Sequence, residues 1–143
     1  MNPDVVGVLD TNTVVLADRL DPNDLPREPV ITAVTLAELS VGPLATTDEA
    51  ERALRLVRLQ RAEATFEPLP FDAAAARAFG SVAASLRRSG RNTAARTFDA
   101  MVAAIAVANN LPVYTCNPRD FAGIDGLRVH AIPHPDDPVA PAG

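Results

Sequence analysis

Five polar side chains are spaced along this sequence in a way that suits metal-dependent chemistry. Asp10 closes a short apolar, β-branched run, and Glu38 lies in a helical stretch. Asp99 opens a strongly apolar stretch, and Asn117 and Asp120 directly follow another β-type run. Carboxylates brought together repel one another and resist ionising at once. A divalent cation removes that conflict, and hard oxygen donors suit magnesium or manganese. Three or four such groups without a useful histidine or cysteine point to phosphoryl transfer on nucleic acid, where a metal activates water and stabilises the leaving oxygen.

Each residue also has a purely structural use. Glu38 stands three residues after Thr35, the spacing of a capping box. Asp10 and Asp99 are good helix caps. Asp120 suits a turn, and Asn117-Pro118 is a common turn dipeptide. Spacing alone does not separate these uses from a metal site. His130 and His134 make a poor catalytic pair, because no cysteine or acid has metal-ligand spacing to them. Both are expected to be structural or inert.

The elements that must position the acids alternate between two periodicities. Residues 5–9 read as a buried strand ending at Asp10, and residues 13–20 as a helix after the cap-type residues Thr11 and Asn12. A proline-rich loop over 22–29 leads to a second strand over 30–33. A helix over 34–41 stops at Gly42-Pro43. Residues 46–64 predict a longer helix, with Thr46 and Glu49 at capping-box spacing and Glu51–Arg55 as a favourable i,i+4 pair. A short strand over 66–69, an alanine-rich helix over 72–88 and a polar connection over 91–96 follow. Residues 97–109 are apolar enough to form a buried helix. Residues 112–115 and 129–132 read as the fourth and fifth strands. Strands alternating with helices indicate an α/β domain with a central parallel sheet of four to five strands and helices on both faces. Ligands of such sheets bind outside the carboxyl ends of the strands, which is where the acids fall.

Composition sets the limits. The 143 residues suit one domain, assigned to residues 1–132. The final stretch, 133–143, contains four prolines and no apolar periodicity, and is read as a loose tail. Apolar residues make up 48% but aromatics only 4%, so the core should be built from closely packed, alanine-rich helices. No run approaches the roughly 18 apolar residues of a membrane span. The first residues have neither the basic start nor the apolar stretch of a signal peptide, so a cytoplasmic location is expected. One cysteine, Cys116, excludes an internal disulfide and a cysteine-cluster metal site. The net charge of -5 argues weakly against a constitutive nucleic-acid binder. Its distribution matters more. All 13 basic residues are arginine, and residues 73–98 contain Arg77, Arg87, Arg88, Arg91 and Arg96 without a single acid. Arg91 and Arg96 closely precede Asp99, where they suit a weak contact to a nucleic-acid phosphate, although a solvated basic face explains them as well.

Four strings in order carry a resemblance. Val8-Leu9-Asp10-Thr11-Asn12 resembles the opening of PIN domains, and the stretch from Thr32 to Gly42 containing Glu38 resembles their second motif. Phe98-Asp99-Ala100-Met101-Val102-Ala103-Ala104-Ile105-Ala106 is similar to the third. The stretch from Val113 to Phe121, with Asn117 and Asp120, resembles the fourth. Together they cover nearly the whole chain. Within the family the sequence is most similar to VapC, the toxin half of bacterial toxin–antitoxin pairs. The resemblance implies a Mg2+-dependent ribonuclease, with Mn2+ as a substitute, that cuts RNA phosphodiesters by metal-activated water. It implies Asp10, Glu38 and Asp99 as metal-site acids, a VapB-like antitoxin as inhibitor, and a toxin homodimer. Many family members carry aspartate where this chain has Asn117. The fourth ligand is therefore either Asp120 or the amide oxygen of Asn117. Thr11 and Thr35 are placed to orient the neighbouring carboxylates or water, Thr11 is also a weak candidate for an RNA contact, and Thr35 alternatively caps its helix. Two other functions stay open at this stage: an RNA-processing PIN nuclease without an antitoxin, and an inactive binding module. An idle acid cluster would only destabilise the fold, which argues against the second.

Overall fold

A computed structural model describes residues 5–137. β1 (Val6–Leu9) leads into α1 (Thr11–Leu16), and β2 (Glu28–Val30) into α2 (Ala33–Val41). Three further helices follow in series: α3 (Glu49–Thr65), α4 (Ala73–Arg88) and α5 (Thr97–Ala108). β3 (Val113–Thr115) and β4 (Val129–Ala131) complete the order. The four strands form one sheet in the order β2-β1-β3-β4, and every pairing is parallel.

The alternation of side chains along β1 and β3 assigns the two faces of the sheet. Val8 and Val113 join the large core with α5, α4 and Phe121. Leu9 and Tyr114 point the other way, into a smaller core with Val14, Leu16, Leu20 and Ile132. Both faces are thus covered, as the near-continuous apolar strands require. α5 is apolar all round. Ala100, Val102, Ala103, Ala104, Ile105 and Ala106 are all buried, and α4 packs along the helix through Ala75, Val82 and Leu86. Alanine permits this close approach, and the core contains few rings. Gly7 serves the same end in β1, since a Cβ there would meet the Tyr114 ring at 2.5 Å.

Several expected boundaries move. The second strand lies at Glu28–Val30 and not at residues 30–33, because Thr32 is the N-cap of α2 and Ala33 is already helical. Pro29 is tolerated because β2 is an edge strand. The strand expected over 66–69 reduces to a single parallel bridge between Leu69 and Thr32. Pro68 and Pro70 flank it and cannot donate to a ladder. The first helix starts at Thr11, immediately after the strand, and ends at Leu16 in a 3-10 turn over Ala17–Arg19. The long helix begins at Glu49, capped by Asp48, whose carboxylate accepts from the Glu51 amide at 3.1 Å. Thr46 instead accepts from the Asp48 amide, so the Thr46–Glu49 capping box does not form. The Glu51–Arg55 pair does, at 2.9 Å.

Beyond β4, Ile132 is buried and residues 134–137 make a turn, with Asp136 paired to Arg19 on the surface. Residues 138–143, most of the expected tail, lie outside the described residues. Among the described residues, no helix is long and apolar enough to cross a membrane.

Candidate active site

The strand order reverses between β1 and β3. From β1 the chain goes outward to β2, and from β3 it goes the other way to β4. This is the topological switch point, and the crevice at the carboxyl ends of β1 and β3 is the expected ligand site. Asp10 sits at the end of β1, and Asn117 and Asp120 follow β3 in a 3-10 turn over Pro118–Phe121.

Asp10 is 3% exposed. It occupies the N-cap position of α1, where the Thr13 amide helps to favour its charged form, but no full side-chain cap bond forms. Its two carboxylate oxygens instead accept from two hydroxyls. Thr13 donates to Oδ1, and Thr115 donates to Oδ2 at 3.0 Å. Each threonine is itself oriented by a backbone amide. Cys116 N–H donates to the Thr13 hydroxyl at 3.2 Å, and Asn117 N–H donates to the Thr115 hydroxyl at 2.9 Å. The amides occupy hydroxyl lone pairs and leave both protons aimed at Asp10. Burial pushes the Asp10 carboxyl above the usual range, the hydroxyl bonds oppose that shift, and the Asp120 charge adds to it.

Glu38 is held by a second hydroxyl relay. Thr11 donates to Glu38 Oε1 at 2.7 Å and lies 3.0 Å from the Thr35 hydroxyl. Thr11 has one proton and gives it to Glu38, so the fully buried Thr35 donates to Thr11. The structural alternatives for these residues fall away. Thr32 accepts from the Thr35 amide and caps α2, so neither Thr35 nor Glu38 forms a capping box.

Asp99 stands half-buried in the first turn of α5. Its pKa is pushed up to about 6, first by burial and then by the charges of Asp120, Asp10 and Glu38; Arg96 opposes the shift. Four acids from four different segments therefore lie close enough to feel one another. Asp120 is the strongest neighbouring charge on Asp99 and also raises Asp10. It also pairs with Arg96. Arg96 is thus tied to the acid cluster and is not a free phosphate grip. Among the described residues, no hydrogen bond or ion pair joins the Arg91 side chain to these acids.

Among the described residues, no three of the acids, histidines and cysteine stand at metal-ligand spacing. The donor set nevertheless suits a hard divalent cation. It consists of oxygen ligands; burial first and their mutual repulsion second raise the Asp99 pKa, and a cation among them relieves that repulsion. The histidines are elsewhere: His130 stacks on Tyr114 at 4.5 Å, and His134 accepts from the Asp136 amide.

The family model described as the PIN domain matches residues 8–127. This chain belongs to the PIN-domain family. Within it, the chain is 41% identical over 123 residues to Ribonuclease VapC5 of Mycobacterium tuberculosis, covering 84% of this chain and 88% of that protein. It is 28% identical over 106 residues to Ribonuclease VapC of Rickettsia bellii, covering 74% and 78%. Its structure matches the crystal structure of VapBC-5, a member of the VapBC family of toxin-antitoxin systems from Mycobacterium tuberculosis. That match has a TM-score of 0.79 and 37% identity, and covers 90% of this chain and 99% of the other. These likenesses place the PIN domain among the VapC ribonucleases.

Two site residues are not evident from the sequence, Thr13 and Thr115. A signal for Thr115 is present but needs the strand order. Leu9 pairs with Tyr114, so the next residue of each strand, Asp10 and Thr115, must also be neighbours. Thr13 carries a weaker signal, as a small polar residue three positions after Asp10 within the apolar face of α1.

Proposed function

We propose that this PIN domain is the toxin of a toxin–antitoxin pair and cuts RNA with a magnesium ion held by Asp10, Glu38 and Asp99. The observation that carries this is the convergence of Asp10, Glu38, Asp99 and Asp120, from four segments, at the switch point of the sheet, with Asp10 and Glu38 held there by threonine hydroxyls. When bound there, a divalent cation supplies the charge that activates water and stabilises the leaving oxygen. Manganese has the same preference for oxygen donors and substitutes for it.

The chain's own groups prepare the site. The hydroxyls of Thr13 and Thr115 fix the Asp10 carboxylate in one orientation, and the Thr35–Thr11 relay does the same for Glu38. Preorganised donors lower the reorganisation needed when charge develops. Asp120 fills the fourth position ahead of Asn117, because its carboxylate is close enough to raise both Asp99 and Asp10, and a carboxylate is a harder, charged donor than an amide oxygen. Arg96 meanwhile holds Asp120 in position through their ion pair.

An antitoxin would block the site in two ways. An arginine placed among Asp10, Glu38 and Asp99 replaces the cation, since a guanidinium binds carboxylates bidentately and keeps its charge at neutral pH. An amphipathic helix fits the cleft between α1 and α3, a cavity of about 370 Å³ lined by Val15, Leu54, Val57 and Phe66. Leu54 is 61% exposed there, a large apolar residue left in water. Val41, Leu44 and Phe98 are exposed outside the cleft and offer apolar area for a homodimer. The substrate and the antitoxin put the site of action in the cytoplasm.

The test is growth. Cells making the wild-type chain alone should stop growing, and cells making Asp10→Asn, or the wild type together with the product of the neighbouring gene, should grow normally. Equal growth in all cultures would point to an RNA-processing nuclease or an inactive module instead.

A further inference from the structure

We propose that the cavity between Glu38 and α3 is a second phosphate subsite for the RNA strand, with Arg58 as its anion-binding residue. The inference rests on the ribonuclease function proposed above. The cavity measures about 360 Å³, and Thr11, Glu38, Glu51, Arg55 and Arg58 contribute to its wall. Thr11 and Glu38 belong to the catalytic acid cluster, so the cavity opens directly beside it. Its size is that of a small-ligand pocket, enough for one phosphate and part of its sugar.

The charges in this wall are unevenly committed. Arg55 donates to Glu51 at 2.9 Å and to the Gly42 carbonyl at 3.0 Å, which settles both Arg55 and Glu51. Glu38 is aligned by Thr11. Arg58 alone among these charged groups has no hydrogen bond or ion pair among the described residues, although it is half-buried. Arg58 also lines the neighbouring apolar cleft, together with Leu54, Val57 and Ala62, and so stands between an apolar and a polar cavity. An arginine between two such cavities packs its stem on the apolar side and offers its guanidinium to the polar one. A charged group in that position gains most from an anion with two acceptor oxygens, and a phosphodiester provides them.

The location favours RNA over a protein carboxylate. A strand that offers one phosphate to the acids must run on past them, and Arg58 stands on the α3 side of the site. Arg96, the other arginine beside the acids, is occupied by Asp120. With a net charge of -5, the chain needs a local cation to hold RNA against its own repulsion, and Arg58 supplies it.

The test uses a fluorescein-labelled single-stranded RNA of mixed sequence and compares wild type, Arg58→Gln, Arg58→Lys and Arg77→Gln. Arg77 lies on the exposed surface of α4 and serves as a control. Binding is followed by anisotropy in EDTA across a salt series, and cleavage by steady-state kinetics with magnesium. Arg58→Gln should bind about tenfold more weakly, and its salt slope should fall by about 0.7, the value of one single-strand phosphate contact. KM should rise while kcat stays within about twofold, the mark of lost uniform binding. Arg58→Lys should fall between, and its retained stem and charge guard against a packing artefact. Arg77→Gln should match wild type. Wild-type affinity and slope in Arg58→Gln, with wild-type cleavage intact, would overturn the subsite alone. Normal RNA binding with loss of antitoxin co-purification would overturn it in favour of a protein carboxylate. A wild type that neither binds nor cuts RNA would overturn the subsite and the proposed function together.

Discussion

Replacing Asp99 by asparagine should destroy activity and stabilise the metal-free protein at the same time. The Asp99 carboxyl has a pKa of about 6 in the folded chain against 3.8 ordinarily. Each tenfold change in an acid constant is worth about 1.4 kcal/mol, which sets a ceiling of about 3 kcal/mol. Asp99 still faces solvent in part, and screening reduces that to about 1–2 kcal/mol. The direction follows from proton counting. Between about pH 4 and 6 the folded chain retains a proton on Asp99 that the unfolded chain has lost, so stability falls as pH rises through that window. Above it the full penalty is present; below it the penalty is absent. Asp99→Asn removes the charge and hence the penalty. In EDTA at neutral pH the variant should therefore melt about 3–8 °C above wild type, and the gap should close near about pH 4. Added magnesium should raise the wild-type melting temperature and leave the variant unchanged. The assay is thermal unfolding followed by circular dichroism, with RNA cleavage measured on the same samples. A variant that melts at or below wild type in EDTA, or that still cuts RNA, would refute a half-buried Asp99 charge crowded by the other acids as the basis of the site.

Further predictions concern the edges of the site. Asp120→Ala should reduce cleavage more than Asn117→Ala, measured as kcat/KM on one RNA; the reverse order would put the fourth ligand on the Asn117 amide. Magnesium affinity should weaken as pH falls through about 6, because a proton on Asp99 competes with the metal, and calorimetry in two buffers should show proton release on binding. A chain ending after Ile132 should keep its cleavage rate, since Ile132 is the last buried residue of the β4 segment and the Arg19–Asp136 pair is exposed. A folded truncation without activity would show that the tail contributes to the site.

Much of the site is legible in the sequence because its acids follow elements with strong local signals. The run before Asp10 and the apolar stretch after Asp99 announce a strand and a buried helix. Once those are placed, the carboxyl-end rule puts the acids together. What is not legible depends on neighbours distant in sequence. Thr115 touches Asp10 across 105 positions, and only the β1–β3 pairing makes them adjacent. Arg96 reads as a basic residue on a basic segment, and its attachment to Asp120 requires the turn after β3. The misplaced elements have local causes. At Thr32 a cap signal competes with a β-branched run, and the cap prevails. At residues 66–69 two prolines leave one bridge where the apolar pattern suggests a strand. At Asp48 a better cap lies two residues beyond Thr46.

Whether these acids and a divalent cation cut RNA is decided by incubating the purified chain with total cellular RNA and mapping the new ends. The reaction is run in magnesium and in excess EDTA, beside Asp10→Asn. Water as nucleophile leaves no 2′,3′-cyclic phosphate, which attack by the ribose hydroxyl would form. Discrete cuts are expected in magnesium, with 3′ ends free of cyclic phosphate, and none in EDTA or with Asp10→Asn. Cuts of equal yield in EDTA, or ends carrying cyclic phosphate, would rule out metal-activated water at this site.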